Sequence, residues 1–163
     1  MKFLRKAYAT FVRSLHQDLI RNAIYALTSE GGSLDNQFLR FFAGLESILL
    51  HVERVHKRLK PSKLRQKVAF FQSIYNVDLT DLWPLVDRSS GTSLAQIRNR
   101  SIHGEYLTES SFRALSYASQ NLRWTLERML LSVLGWQIAN SNVSKSFLPN
   151  FTTYRWQAMQ SKI

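Results

Sequence analysis

The 163-residue chain has no cysteine. That excludes disulfide staples, thiolate nucleophiles and zinc ribbons, and it fits a reducing compartment such as the cytoplasm. Proline occurs 3 times and glycine 6 times, so breakers of regular structure are scarce. Acidic residues are half as frequent as basic ones: 11 Asp and Glu stand against 22 Lys and Arg, a formal net charge of +11. A compact domain with this balance is suited to meet phosphates, whether of nucleic acid or of an anionic membrane surface. No long run is both apolar and free of charge, so no spanning segment is expected. The apolar start of the chain is interrupted by Arg5, Lys6 and Arg13, unlike a secretory signal, and reads first as an amphipathic helix, though its basic composition with Asp18 as its one acid also suits a transit peptide. No Walker loop, Gly-rich dinucleotide turn, HExxH or GxSxG is present.

Hydrophobic residues make up 45% of the chain and aromatics 12%, enough to build a core in one domain of this length. Their spacing is helical almost throughout, and no segment alternates at strand period. Leu4, Tyr8, Phe11, Leu15 and Leu19, with Ala7 and Ala26, form the stripe of a first helix ending at Gly31-Gly32. Asp35 is a plausible cap for the second, whose wide face carries Phe38, Phe41, Phe42, Leu45, Ile48, Leu49, Val52, Val55 and Leu59 before Pro61. A third helix fits Lys63 to Tyr75, with Leu64, Val68, Phe71, Ile74 and Tyr75 inward. Leu79 to Val86 reads as one or two helical turns capped by Thr80 or Asp81. Ser93 and Gln96 form a capping box that starts a short helix, and Gly104 suits its end. Thr108 then caps a long final helix with Phe112, Leu115, Ala118, Leu122, Leu126, Met129, Val133 and Trp136 on its stripe. The expected fold is all-α, an up-and-down bundle of about five helices over residues 1–136. Residues 137–163 form a tail that packs back or docks on a partner through Phe151, Tyr154 and Trp156.

Chemistry concentrates in SLAQIRNRSIHGEYL. Arg98 offers a planar fork suited to phosphate oxygens, and His103 belongs to the one residue type that exchanges protons near neutral pH. Asn99 precedes His103 by four residues, so the two share a helical face and can touch. Arg98 and His103 are about 140° apart on an ideal helix, so one chain alone makes a poor site; a frayed helix end or a second copy would bring them together. An Arg-Asn-Arg run is also what a solvated helix face looks like, and a His before Gly is also a helix stop. A second basic feature is Arg54, Lys57, Arg58, Lys60, Lys63, Arg65 and Lys67, which with Arg100 reads either as a phosphate-tracking surface or as a solvated hairpin. His51 and His56 lack carboxylate or Cys partners at ligand spacing and read as structural. Asp78 and Asp81 read as a turn and a cap, and no metal site is expected.

Arg98-Asn99 followed by His103 resembles the signature of the HEPN superfamily of helical ribonucleases and nucleotide-binding domains. The phrases FFAGLESILL and IRNRSIHG look most like its ApeA-like branch, and the likeness runs from about Phe3 to Trp136. The resemblance implies a homodimer whose paired motif helices form one cleft for RNA. It implies metal-independent cleavage by 2′-OH attack, leaving a 2′,3′-cyclic phosphate, with no cofactor. In that scheme His103 is general acid or base, Arg98 stabilises phosphorane charge, and Asn99 orients His103 or binds phosphate. Some members add an acidic residue from the second helix; Glu46 matches, and equally reads as a structural partner of Arg98 or Arg100. The Tyr that toxin members often carry two residues after the His is replaced by Glu105, with Tyr106 next. Other members only bind RNA or nucleotide, or act as interaction modules of toxin–antitoxin, antiviral defence or CRISPR-linked complexes, so an antitoxin or effector-complex protein is a possible partner. The expectation is a cytoplasmic protein without a membrane partner.

Overall fold

The computed structural model describes residues 2–14, 16–56, 63–86, 92–103 and 109–136. These residues fold into six helices and no strand: α1 (Lys2–Arg13), α2 (Gln17–Thr28), α3 (Leu34–His56), α4 (Leu64–Tyr75), α5 (Leu94–Ile102) and α6 (Glu109–Val133). The all-α expectation holds. Leu15, Lys57, Arg58, Leu59, Lys60, Pro61, Gly104, Glu105, Tyr106, Thr108 and the tail with Phe151, Tyr154 and Trp156 lie outside the described residues.

The central helix is α3, packed against α2 and α6 on its long sides and against α4 and α5 at its flanks. Its stripe is almost wholly buried, from Phe38 through Phe41, Phe42, Leu45, Ile48 and Leu49 to Val52. Leu115, Leu122, Leu126 and Met129 of α6 and Ile20 and Ala23 of α2 complete the core. Small residues set the closeness of this packing. A Cβ on Gly44 would stand 2.7 Å from Ala26 Cβ and 2.9 Å from Leu126 Cδ2, so α2, α3 and α6 meet where no side chain intervenes.

The single first helix expected from the apolar spacing is in fact two. The chain leaves helical geometry at His16 (φ −129°, ψ 53°). Ser14 Oγ accepts the His16 amide at 3.3 Å, and Gln17 Nε2 donates to the Val12 carbonyl at 2.6 Å. A serine that offers the backbone a competing acceptor breaks the ladder here. The consequence is that α1 buries no residue, and Leu4 and Tyr8, expected in the core, are exposed. Two smaller expectations also change. The α3 start is capped by Ser33, whose Oγ accepts the Asn36 amide, and Asp35 instead sits in the first turn, where a carboxylate favours the helix dipole. Residues 79–86 make turns and bends, not a helix. Asp78 accepts from the Thr80 amide and hydroxyl, and Asp81 is drawn off to Arg128 on α6.

That irregular stretch is held by long-range bonds. The buried Trp83 donates its backbone amide to Asn121 Oδ1 at 3.1 Å and its indole N–H to the Thr92 carbonyl at 2.7 Å. Arg128 grips Asp81 with both terminal nitrogens and reaches the Asp78 carbonyl at 3.1 Å. The Pro84 and Leu85 carbonyls then accept the amides of Leu94 and Ala95, the first residues of α5. The short helix that carries the Arg-Asn-Arg run is thus moored at its start to a loop locked on α6. Among the described residues no helix is long and apolar enough to cross a membrane.

Candidate functional site

The capping box forms as the sequence suggests: Ser93 Oγ accepts from the Gln96 amide and Gln96 Oε1 accepts from the Ser93 amide at 2.7 Å. Leu94 and Ile97 are buried, which fixes the roll of α5. Arg98 is then half-buried and Asn99 exposed.

Arg98 crosses to α3. Its guanidinium carbon lies 5.5 Å from the centroid of the buried Phe42 ring, within cation–π range. One terminal nitrogen is 3.6 Å from Glu46 Oε1, an ion pair too long for a hydrogen bond. The other donates to Asn99 Oδ1 at 3.2 Å. Phe42 and Glu46 are one turn apart on α3, so the same helix face supplies a flat apolar bed and an anion for the guanidinium. Glu46 is 47% exposed, so the pair is open to solvent and to any competing anion. The sequence expectation that Asn99 touches His103 by its side chain is not met. The Asn99 carboxamide is turned to Arg98, and only its backbone carbonyl receives the His103 amide, at 3.1 Å. His103 is the C-cap of α5, with φ −80° and ψ 3°, and is exposed. Among the described residues nothing hydrogen-bonds its imidazole. Arg100 is half-buried on the same helix.

The basic stretch is less free than its composition suggests. Lys67 on α4 lies 2.9 Å from Glu53 Oε2 of α3, and Glu53 is only 8% exposed. A buried carboxylate so placed needs its cation, so Lys67 is a structural partner rather than a surface contact for phosphate. Arg54, Lys63 and Arg65 are exposed and remain available.

Sequence reasoning also missed a histidine pair, one member buried and the other half-buried. The rings of His16 and His51 meet edge-on at 6.5 Å, where the α1–α2 break touches α3. His51 is buried and its Nδ1 has no hydrogen-bond partner. Burial pushes the His51 imidazole below the ordinary histidine range, and a hydrogen bond with the His16 backbone offsets this in part. His56 is exposed and lies edge-on to Phe70 and Tyr75. Among the described residues no three His, Asp or Glu side chains gather to hold a metal ion. Phe42 beneath Arg98 had a visible signal, an aromatic four residues before Glu46. The histidine pair had none, because it depends on the chain break at His16, which sets that ring against α3.

Comparison with protein families, with curated proteins and with solved structures finds no match to this chain.

Proposed function

We propose that the chain is a metal-independent RNA endonuclease of HEPN type, acting as a homodimer with one composite cleft. The observation that carries this reading is the constellation on α5 and α3. Arg98 is held on the Phe42 ring with Asn99 and Glu46 at its nitrogens, and His103 stands at the free end of the same helix. In the proposed reaction the RNA 2′-oxygen attacks the adjacent phosphorus and the bond to the 5′-oxygen breaks. The 2′-OH proton goes to a base and the 5′-oxygen gains one from an acid, and the imidazoles of His103 from the two copies serve these roles. Arg98 stabilises the charge on the non-bridging oxygens, and its loose pairing with Glu46 leaves the guanidinium able to exchange partners. The angle of about 140° separating Arg98 from His103 around the helix is why a second copy of α5 improves the site. Arg54, Lys63 and Arg65, with Arg100, add positive charge for the strand.

The test is end-group analysis of single-stranded RNA incubated with purified protein. The expected products carry a 2′,3′-cyclic phosphate and a 5′-OH, in equal yield with and without EDTA. Uncut RNA, products with a 3′-OH, or loss of cleavage in EDTA would overturn the proposal. A second reading rests on the fact that Arg98 is already engaged by Glu46 and Asn99 within its own chain: a module that binds RNA without cutting it. It predicts salt-sensitive RNA retention with no cyclic phosphate formed.

A further inference from the structure

The α1 helix is amphipathic, yet it buries no residue. At 100° per residue, its apolar side chains span two neighbouring arcs of about 80° each. Phe3, Ala7 and Phe11 occupy the first and are partly covered; Phe3 meets the Trp136 ring edge-on at 4.3 Å. Leu4, Tyr8 and Val12 occupy the second and are 70%, 71% and 46% exposed. The next arc, about 100° wide, holds Arg5, Lys2, Arg13 and Lys6, and α1 contains no acid. A row of large apolar side chains at i, i+4 and i+8 therefore lies along the outside of the molecule, with cations along one border and the partly covered arc along the other.

From this we infer that α1 docks the protein on the surface of an anionic lipid bilayer, lying in the interface with Leu4, Tyr8 and Val12 entering the acyl boundary. Charge complementarity chooses the occupant. Four cations on α1, within a chain of net charge +11, attract anionic headgroups and repel a second copy of the same surface. RNA would satisfy the cations but not the stripe, since Leu4 and Val12 have no ring on which a base stacks. A bilayer offers both partners at once: phosphates for Lys and Arg, and hydrocarbon for Leu and Val, with Tyr at the boundary between them. The break at Ser14–His16 matters here, because it frees α1 from the line of α2, whose Leu19, Ile20, Ala23 and Ala26 are committed to the core. The inference uses no residue of the α3–α5 constellation, so it stands or falls separately from the ribonuclease reading.

The test is co-sedimentation of the full chain with phosphatidylcholine vesicles containing about 30% phosphatidylglycerol, against pure phosphatidylcholine, at about 0.1 M salt. The protein is expected to pellet with the anionic vesicles only. The double variant Leu4→Glu/Val12→Glu, with unchanged far-UV circular dichroism, is expected to partition at least about tenfold less. Protein that stays in the supernatant with anionic vesicles would overturn the inference. So would equal partitioning of the double variant, or a wild-type dimer that the double variant dissociates.

Discussion

Two carboxylates on α3, seven residues apart, each face a cation from a neighbouring helix, and the two pairs are built differently. Glu53 is 8% exposed and Lys67 sits 2.9 Å from it; Glu46 is 47% exposed and Arg98 sits 3.6 Å from it. A buried charge cannot lose its partner without a large penalty, so the Glu53–Lys67 pair fixes α4 on α3 and does little else. A solvent-exposed pair contributes little to stability, so Glu46 and Arg98 are free to trade each other for a ligand. The same chemical pairing is therefore a fastening near the C-terminal end of α3 and an available site at its middle.

Four perturbations would break or sharpen that contrast. The largest effect is expected from Arg98→Ala, which removes the group proposed to stabilise phosphate charge and should lower the RNA cleavage rate by about 10²–10³-fold, with little change in the thermal midpoint. A loss of fold instead would make Arg98 a fastening too. Glu53→Ala strips Lys67 of its counter-charge and opens a gap; because Lys67 is partly solvated, the cost is about 2 kcal/mol, read from denaturant midpoints, with cleavage per folded molecule unchanged. The buried His51 adds a pH dependence at the same end of the helix. Its imidazole resists protonation in the fold, so the unfolded chain binds the proton more readily. Stability is full above the ordinary histidine value near pH 6.5 and is lost as pH falls from there through the lowered native value. Thermal midpoints measured from about pH 7.5 down to about pH 5 should show that decline, and His51→Gln should flatten it. The smallest effect is expected from Glu46→Gln, under about 1 kcal/mol in stability. A larger loss in chemical denaturation would show that the exposed pair is structural after all.

Much of this architecture is written in local pattern. The α3 and α6 stripes are long and regular, and the Ser93–Gln96 capping box marks the start of the motif helix, because these signals depend on neighbours within one or two turns. What the sequence concealed depends on distant partners. Leu79–Val86 is rich in Leu and Trp and reads as helical turns, yet Pro84 interrupts any helix there, and Trp83 is held by Asn121 and Thr92 and Asp81 by Arg128. The apolar spacing runs unbroken through Ser14–His16, so the split of the first helix was invisible to periodicity. Lys67 looked like one cation among seven until the hairpin placed it on Glu53. The arrangement at Arg98 was half legible: the residue types, the candidate acid Glu46 and the aromatic four residues before it were, but the turn of Asn99 away from His103 required the fold.

The most direct measurement is the RNA cleavage rate of His103→Ala beside wild type, at matched folded fraction. His103 is exposed and caps α5 through its backbone, so the fold should survive while cleavage falls by about 10²–10⁴-fold. Cleavage by the folded variant at the wild-type rate would contradict the assignment of this constellation as the active site.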